Sequence, residues 1–142
     1  IPVGKKILIE IKCGTEIVPV LVNQLRQSSL SSEQVVIIAF DADVIKACKS
    51  QAPEYQANWL NDFETDFDIE KILPGLLDIG ADGLSSSNEN SKELVDAVLA
   101  FGFSYHTGWT IDDAAWAQRM SDWGASSLTT NNPEKMRKNL NK

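Results

Sequence analysis

Residues 7–12 read ILIEIK, and the fold turns on how those side chains divide between two faces. Side chains alternate along a strand, so Ile7, Ile9 and Ile11 share one face while Leu8, Glu10 and Lys12 share the other. Three isoleucines suit a layer packed against helices. The opposite face begins apolar and turns charged toward the C-terminal end of the strand. In a parallel α/β barrel that end opens onto the active site, where a carboxylate and an ammonium can hold a divalent cation and a phosphate oxygen. A Glu–Lys pair on a solvent-facing edge strand produces the same pattern, and both readings stand on the residues alone.

Working outward, further strand candidates follow at residues 35–41 (VVIIAFD), 54–60 (EYQANWL), 81–85 (ADGLS), 103–111 (FSYHTGWTI) and 126–130 (SSLTT). β-branched and aromatic residues mark most of them; 54–60 and 126–130 carry the least pattern. Helical stretches alternate with them. Residues 16–30 place Ile17, Val20, Leu21 and Leu25 on one face. Asp41 or Asp43 caps a run through Ala52, which Pro53 ends. Asp68 caps residues 69–79, with Pro74 inside. Residues 88–101 end at Gly102, and residues 112–123 open on two acids and end at Gly124. Asn132-Pro133 starts a last helix. Such an alternation, repeating on the order of every 20–30 residues, predicts a parallel sheet of the TIM-barrel or doubly wound kind. No Gly-rich phosphate loop follows any strand, which counts against a nucleotide-binding doubly wound fold. No linker divides the chain, so one domain or a piece of one is expected.

The chain has 142 residues and a formal charge of −7. That balance argues against nucleic acid as a partner, since phosphate binding needs clustered Lys and Arg. The basic cluster Lys135, Arg137, Lys138 and Lys142 sits at helical spacing and reads as a solvated final helix. Cys13 and Cys48 stand too far apart for a CxxC motif; both are expected to be reduced and partly buried. The acidic run Asp62, Glu64, Asp66, Asp68 and Glu70 reads as a solvated loop. No apolar run is long enough for a transmembrane helix, and no signal peptide opens the visible chain, which favours the cytoplasm. The abrupt start at Ile1, with a strand almost at once, predicts that something precedes it.

Taken in order, the motifs resemble those of the glycerophosphodiester phosphodiesterases. ILIEIK is similar to that family's hydrophobic-Glu-hydrophobic-Lys strand, VVIIAFD (35–41) to its "SF(D/N)" strand end, and GADGL (80–84) to a later strand entry. GWTID (108–112) resembles "WTV(N/D)", and SLTTNNP (127–133) resembles the closing "TDxP". The resemblance covers essentially the whole chain. It implies a TIM-type (β/α)8 barrel of which this chain holds strands three to eight. It also implies hydrolysis of glycerophosphodiesters to glycerol 3-phosphate and an alcohol. A divalent cation, Mg²⁺ or Ca²⁺, is implied with Glu10 as one carboxylate ligand. Lys12 is implied to neutralise phosphoryl charge, and Trp109 to wall the pocket. Phe40 is expected at the barrel mouth, in contact with substrate, with core packing an equal contender.

Two departures from the family pattern stand out. Asn131 occupies the place of the "TDxP" acid, which we expect to cap the last helix, a task Asn performs about as well as Asp. The family's first two strands, with their His-Arg-Gly motif, Glu-x-Asp pair and second histidine, have no counterpart here. The only histidine, His106, lies within a strand and reads as a satisfied structural residue. The general acid and base are therefore expected upstream, and the fragment alone is expected to be inactive. A phospholipase D of the sphingomyelinase type, and an inactive barrel piece serving as a binding module, are the alternative readings.

Overall fold

The computed structural model describes residues 1–62, 68–87 and 91–140. Its strands are β1 (Ile7–Ile11), β2 (Val35–Ala39), β3 (Gln56–Asn61), β4 (Gly83–Ser87) and β5 (Ser104–Trp109). Its helices are α1 (Val18–Gln27), α2 (Ala42–Gln51), α3 (Ile69–Ile79), α4 (Lys92–Ala100), α5 (Ala114–Asp122) and α6 (Pro133–Leu140). Neighbouring strands follow chain order, β1 beside β2 beside β3, and β4 beside β5. The chain forms two compact units, residues 1–60 with 74–82, and residues 61–73 with 83–142.

In the first unit β1, β2 and β3 pair in parallel, with Ile9 opposite Ile37 and Ile37 opposite Ala57. The alternation in ILIEIK is realised as the pattern predicts. Ile11 is buried, Ile7 and Ile9 are half-buried, and Leu8 and Glu10 are exposed. On β2 the same face contributes Val35, Ile37 and Ala39, all fully buried. Helices α1 and α2 supply Val18, Val22, Val44, Ile45 and Cys48 to this core. Helix α1 departs from the expected 16–30: a 3-10 turn over Thr15–Ile17 precedes it, and Pro19 stands at its start. Its buried face is therefore Val18, Val22 and Leu25, and Val20 is exposed. The helix ends where Ser28 turns extended and its hydroxyl donates to the Leu25 carbonyl at 2.7 Å.

One polar knot ties this unit together. The Lys49 ammonium on α2 donates to Asp82 at 2.8 Å and to the carbonyls of Pro53 and Tyr55, each at 3.1 Å. Asp82 also accepts from the Ala57 backbone N–H at 2.8 Å, at the entry of β3. Helix α3 runs unbroken through Pro74, which is exposed, so its interruption costs one backbone bond rather than the helix.

In the second unit β4 and β5 pair in parallel, with Leu84 opposite Tyr105, both fully buried. Ser86 and Tyr105 share a buried hydroxyl–hydroxyl bond of 2.7 Å. The sixth strand expected at 126–130 is reduced to a single parallel bridge between His106 and Ser127. Backbone bonds flank that bridge, from Ser126 N–H to the Tyr105 carbonyl at 2.8 Å, from Thr107 N–H to the Ser127 carbonyl at 3.1 Å and from Ile111 N–H to the Thr129 carbonyl at 2.8 Å, and threonine side chains add to them. Thr129 N–H donates to the Thr107 hydroxyl at 3.0 Å, and the Thr129 hydroxyl donates to the Thr107 carbonyl at 2.9 Å. The segment thus lies along β5, held by backbone bonds and threonine hydroxyls together.

Both glycines read as helix stops adopt left-handed backbone, Gly102 at φ 92° and Gly124 at φ 98°. Each closes its helix with paired bonds from the glycine and the following residue, Gly102 to Leu99 and Phe103 to Val98, Gly124 to Ser121 and Ala125 to Met120. Their surroundings differ. A Cβ on Gly102 meets nothing within 4 Å, whereas one on Gly124 would stand 2.9 Å from a Leu99 methyl. Gly102→Ala should therefore cost about 1–2 kcal/mol for the left-handed conformation alone. Gly124→Ala should cost roughly 0.5–1 kcal/mol more, as Leu99 shifts its rotamer. Urea unfolding of the two variants measures the difference, and equal losses would contradict it.

Candidate active site

The C-terminal ends of β1 and β2 open onto a cavity of about 540 Å³ lined by Glu10, Ile11, Lys12, Cys13, Gly14, Phe40 and Asp41. Three of the four residues singled out in the sequence, Glu10, Lys12 and Phe40, line this one depression. Parallel pairing of Glu10 with Ile38 brings the two strand ends level. The Lys12 ammonium stands 3.5 Å from the Glu10 carboxylate. With side-chain exposures of 77% for Lys12 and 34% for Glu10, this is a water-facing pair of small energetic weight, free to exchange partners when a ligand arrives. Phe40 is 50% exposed at the rim, so it serves the opening rather than the core.

Asp41, the next residue, is committed to structure. Its carboxylate accepts from the Asp43 N–H at 2.9 Å and caps α2. The Gly14 N–H is taken by the Glu16 carboxylate at 3.1 Å. Trp59, near the end of β3, braces the depression from behind and is not part of its lining. Its indole N–H donates to the Phe40 carbonyl at 3.0 Å, and its ring faces Gly75 of α3. Trp109 ends β5 in the second unit and is half-buried.

Among the described residues, no group of three or more His, Cys, Asp or Glu side chains is placed to hold a metal ion. In the depression Glu10 faces Lys12 and Asp41 is occupied as a cap, so these residues do not make a divalent-cation site by themselves. A cation bound through Glu10 would need further oxygen ligands. The chain's one Glu-x-Asp spacing, Glu64-Thr65-Asp66, lies outside the described residues. At the near edge of that acidic run, Asp68 pairs with Lys71 at 3.0 Å, and this hydrogen bond holds its carboxyl below the usual range.

His106 is held at both ring nitrogens, by Ser127 at 2.8 Å and Ser104 at 2.9 Å, the satisfied strand histidine that its position predicts. The acids Asp112 and Asp113 divide two tasks. Asp113 caps α5 by accepting from Trp116 N–H at 2.8 Å. Asp112 accepts instead from the Thr130 hydroxyl at 2.8 Å, the Asn131 N–H at 2.9 Å and the Asn131 side-chain amide at 3.1 Å. The expected capping role of Asn131 is thus corrected: its side chain is spent on Asp112. These bonds, the Thr130 hydroxyl foremost, hold the Asp112 carboxyl below the ordinary carboxylate range.

No protein-family model and no curated protein matches the chain. Solved structures do. An Oleispira antarctica phosphodiesterase in complex with the product sn-glycerol-3-phosphate superposes with a TM-score of 0.81 at 16% identity, over 96% of this chain and 56% of that one. A glycerophosphodiester phosphodiesterase from Parabacteroides distasonis gives a TM-score of 0.75 at 20% identity, over 94% and 56% of the two chains. One from Thermotoga maritima gives 0.74 at 19% identity, over 94% and 57%. The chain therefore has the α/β fold of the glycerophosphodiester phosphodiesterases, as its motifs led us to suspect. It spans about half the length of the structures it matches. No helix among the described residues is long and apolar enough to cross a membrane.

The two thiols give a test of the depression. Cys13 is exposed on its lining, whereas Cys48 is on the buried face of α2 and its thiol is pushed up to about 11 by burial. The thiolate is the reactive form. Iodoacetamide at pH 8 should label Cys13 in the folded protein and Cys48 only after unfolding, as read by peptide mass. Labelling of Cys48 at the rate of Cys13 would contradict this packing.

Proposed function

We propose that these residues form strands three to eight of a single-domain (β/α)8 barrel whose complete form hydrolyses glycerophosphodiesters to glycerol 3-phosphate and an alcohol. The observation that carries the proposal is the convergence of Glu10, Lys12 and Phe40 on one strand-end depression, in a chain with this fold. Strand ends of one polarity are where parallel barrels place their chemistry. The product bound to the Oleispira antarctica phosphodiesterase supports a small phosphate-bearing ligand.

In this reading Lys12 offsets charge on the phosphoryl oxygens as it builds toward the transition state. Phe40 and Trp109 contact the substrate and shield it from water. Glu10 would supply one carboxylate to a divalent cation, Mg²⁺ or Ca²⁺, which when bound would polarise the phosphoryl group. The remaining ligands, the proton donor for the leaving alkoxide and the base for the attacking hydroxyl come from outside these 142 residues. Proton transfer is worth about 10²–10⁴-fold, so the fragment alone works near background.

The test is turnover of glycerophosphocholine by the full-length protein with Mg²⁺ or Ca²⁺. Glu10→Gln should weaken metal affinity by roughly 10–100-fold and lower kcat, with the melting temperature unchanged. Metal dependence identical to the parent would remove Glu10 from the site. Trp109→Ala should lower kcat/KM by roughly tenfold, about 1.4 kcal/mol of transition-state binding. A kcat/KM equal to the parent's would place Trp109 away from substrate.

A further inference from the structure

We infer that Asp112 and Asn131 form a carboxylate–carboxamide latch that fixes the end of β5, and with it the setting of Trp109. Asp112 stands three residues beyond Trp109, in the turn that leads into α5. Its carboxylate gathers three donors from one short stretch: the Thr130 hydroxyl and the Asn131 N–H on Oδ1, and the Asn131 side-chain amide on Oδ2. Thr130 in turn accepts the Asn132 N–H at 3.0 Å, so the stretch leading into α6 is organised around that one carboxylate. A second tie runs alongside, from Ile111 N–H to the Thr129 carbonyl at 2.8 Å. Nothing in α5 needs Asp112, because Asp113 already caps that helix.

The chemistry of the pair sets its rules. A carboxylate only accepts, and a carboxamide both accepts and donates. Asn at 112 can still take the Thr130 hydroxyl and the 131 N–H on its oxygen, while its amide donates across to residue 131. An Asp at 131 beside Asp112 would set two carboxylates where an amide hydrogen bond now spans 3.1 Å, trading an attraction for a like-charge repulsion that favours protonation of one of them. Exchanging the two residues restores one donor and one acceptor. The other charged groups nearby are Asp113 on the same turn, and Glu134, Lys135 and Lys138, which line a depression with Asn131 at the start of α6. The hydrogen bonds from Thr130, from Asn131 and from the Asn132 side chain are what lower the Asp112 carboxyl below its ordinary range.

The sign of the pH dependence follows. In the parent, the Asp112 contribution is complete above the ordinary Asp range near pH ~4 and fades as pH falls through the lowered value. In Asn131→Asp the shared proton raises one carboxyl, so the folded state is penalised at neutral pH and recovers on acidification. Trp109 is a positioning target here, and only its link to substrate rests on the function proposed above.

The experiment compares Asn131→Asp, Asp112→Asn and the double exchange in the full-length protein. The readouts are melting at pH 7.5 and pH 5, and the Trp109 indole N–H resonance, assigned with Trp109→Phe. Asn131→Asp should lower the melting temperature by about 3 °C or more at pH 7.5, regain most of it at pH 5, and move the Trp109 resonance. Asp112→Asn should change little, because the Asn131 amide can flip. The double exchange should return both melting and resonance to the parent values at pH 7.5. A double exchange no better than Asn131→Asp would overturn the latch. A Trp109 resonance unmoved in Asn131→Asp would overturn its positioning role. Neither readout depends on whether the protein turns over glycerophosphodiesters.

Discussion

The first unit depends on one cation. Lys49 reaches from α2 across the start of β3 to Asp82 after α3, and its side chain is 16% exposed. It gathers three acceptors at one point: two carbonyls of the α2–β3 turn, and a carboxylate that also accepts a strand N–H. Breaking such a pair on one side costs on the order of 2–4 kcal/mol, trimmed here because water reaches Asp82. The knot fixes where β3 begins, and β3 pairs with β2, which pairs with β1. The depression holding Glu10, Lys12 and Phe40 is downstream of that chain of registers.

The motifs that made the chain readable are mostly knots and caps. Asp82 of GADGL serves Lys49, Asp41 of VVIIAFD caps α2, and Asp112 of GWTID binds Thr130 and Asn131 of SLTTNNP. Residue types that satisfy backbone at strand ends leave a strong trace in sequence, because few others accept two or three N–H groups at once. Glu10 and Lys12 differ in kind: they are exposed, lightly paired and available to a ligand.

What was legible in the sequence was whatever rests on periodicity or on local geometry. The two faces of ILIEIK and the glycine stops at Gly102 and Gly124 follow from local rules, whereas Pro74 could have split α3 and does not. What was not legible required partners far along the chain. Nothing near Trp59 announces that its indole bonds the Phe40 carbonyl and faces Gly75 rather than a pocket. Asn131 looked like a helix cap because the Asp112 carboxylate that claims it lies 19 positions away. The face of α1 was misread by one phase because Pro19 and the preceding 3-10 turn reset where the helix begins.

The exchange between Thr107 and Thr129 has a consequence for how this chain tolerates change over generations. In an ordinary ladder the bonds belong to the backbone, so almost any strand-forming residue inherits them. Here two of the bonds that hold residues 127–130 to β5 run through hydroxyl groups. Valine, nearly the same shape and a better strand former, would sever them. Neutral drift at these two sites is thus biased toward residues that carry a hydroxyl, and this share of the attachment, beside its backbone bonds, is inherited as a side-chain trait.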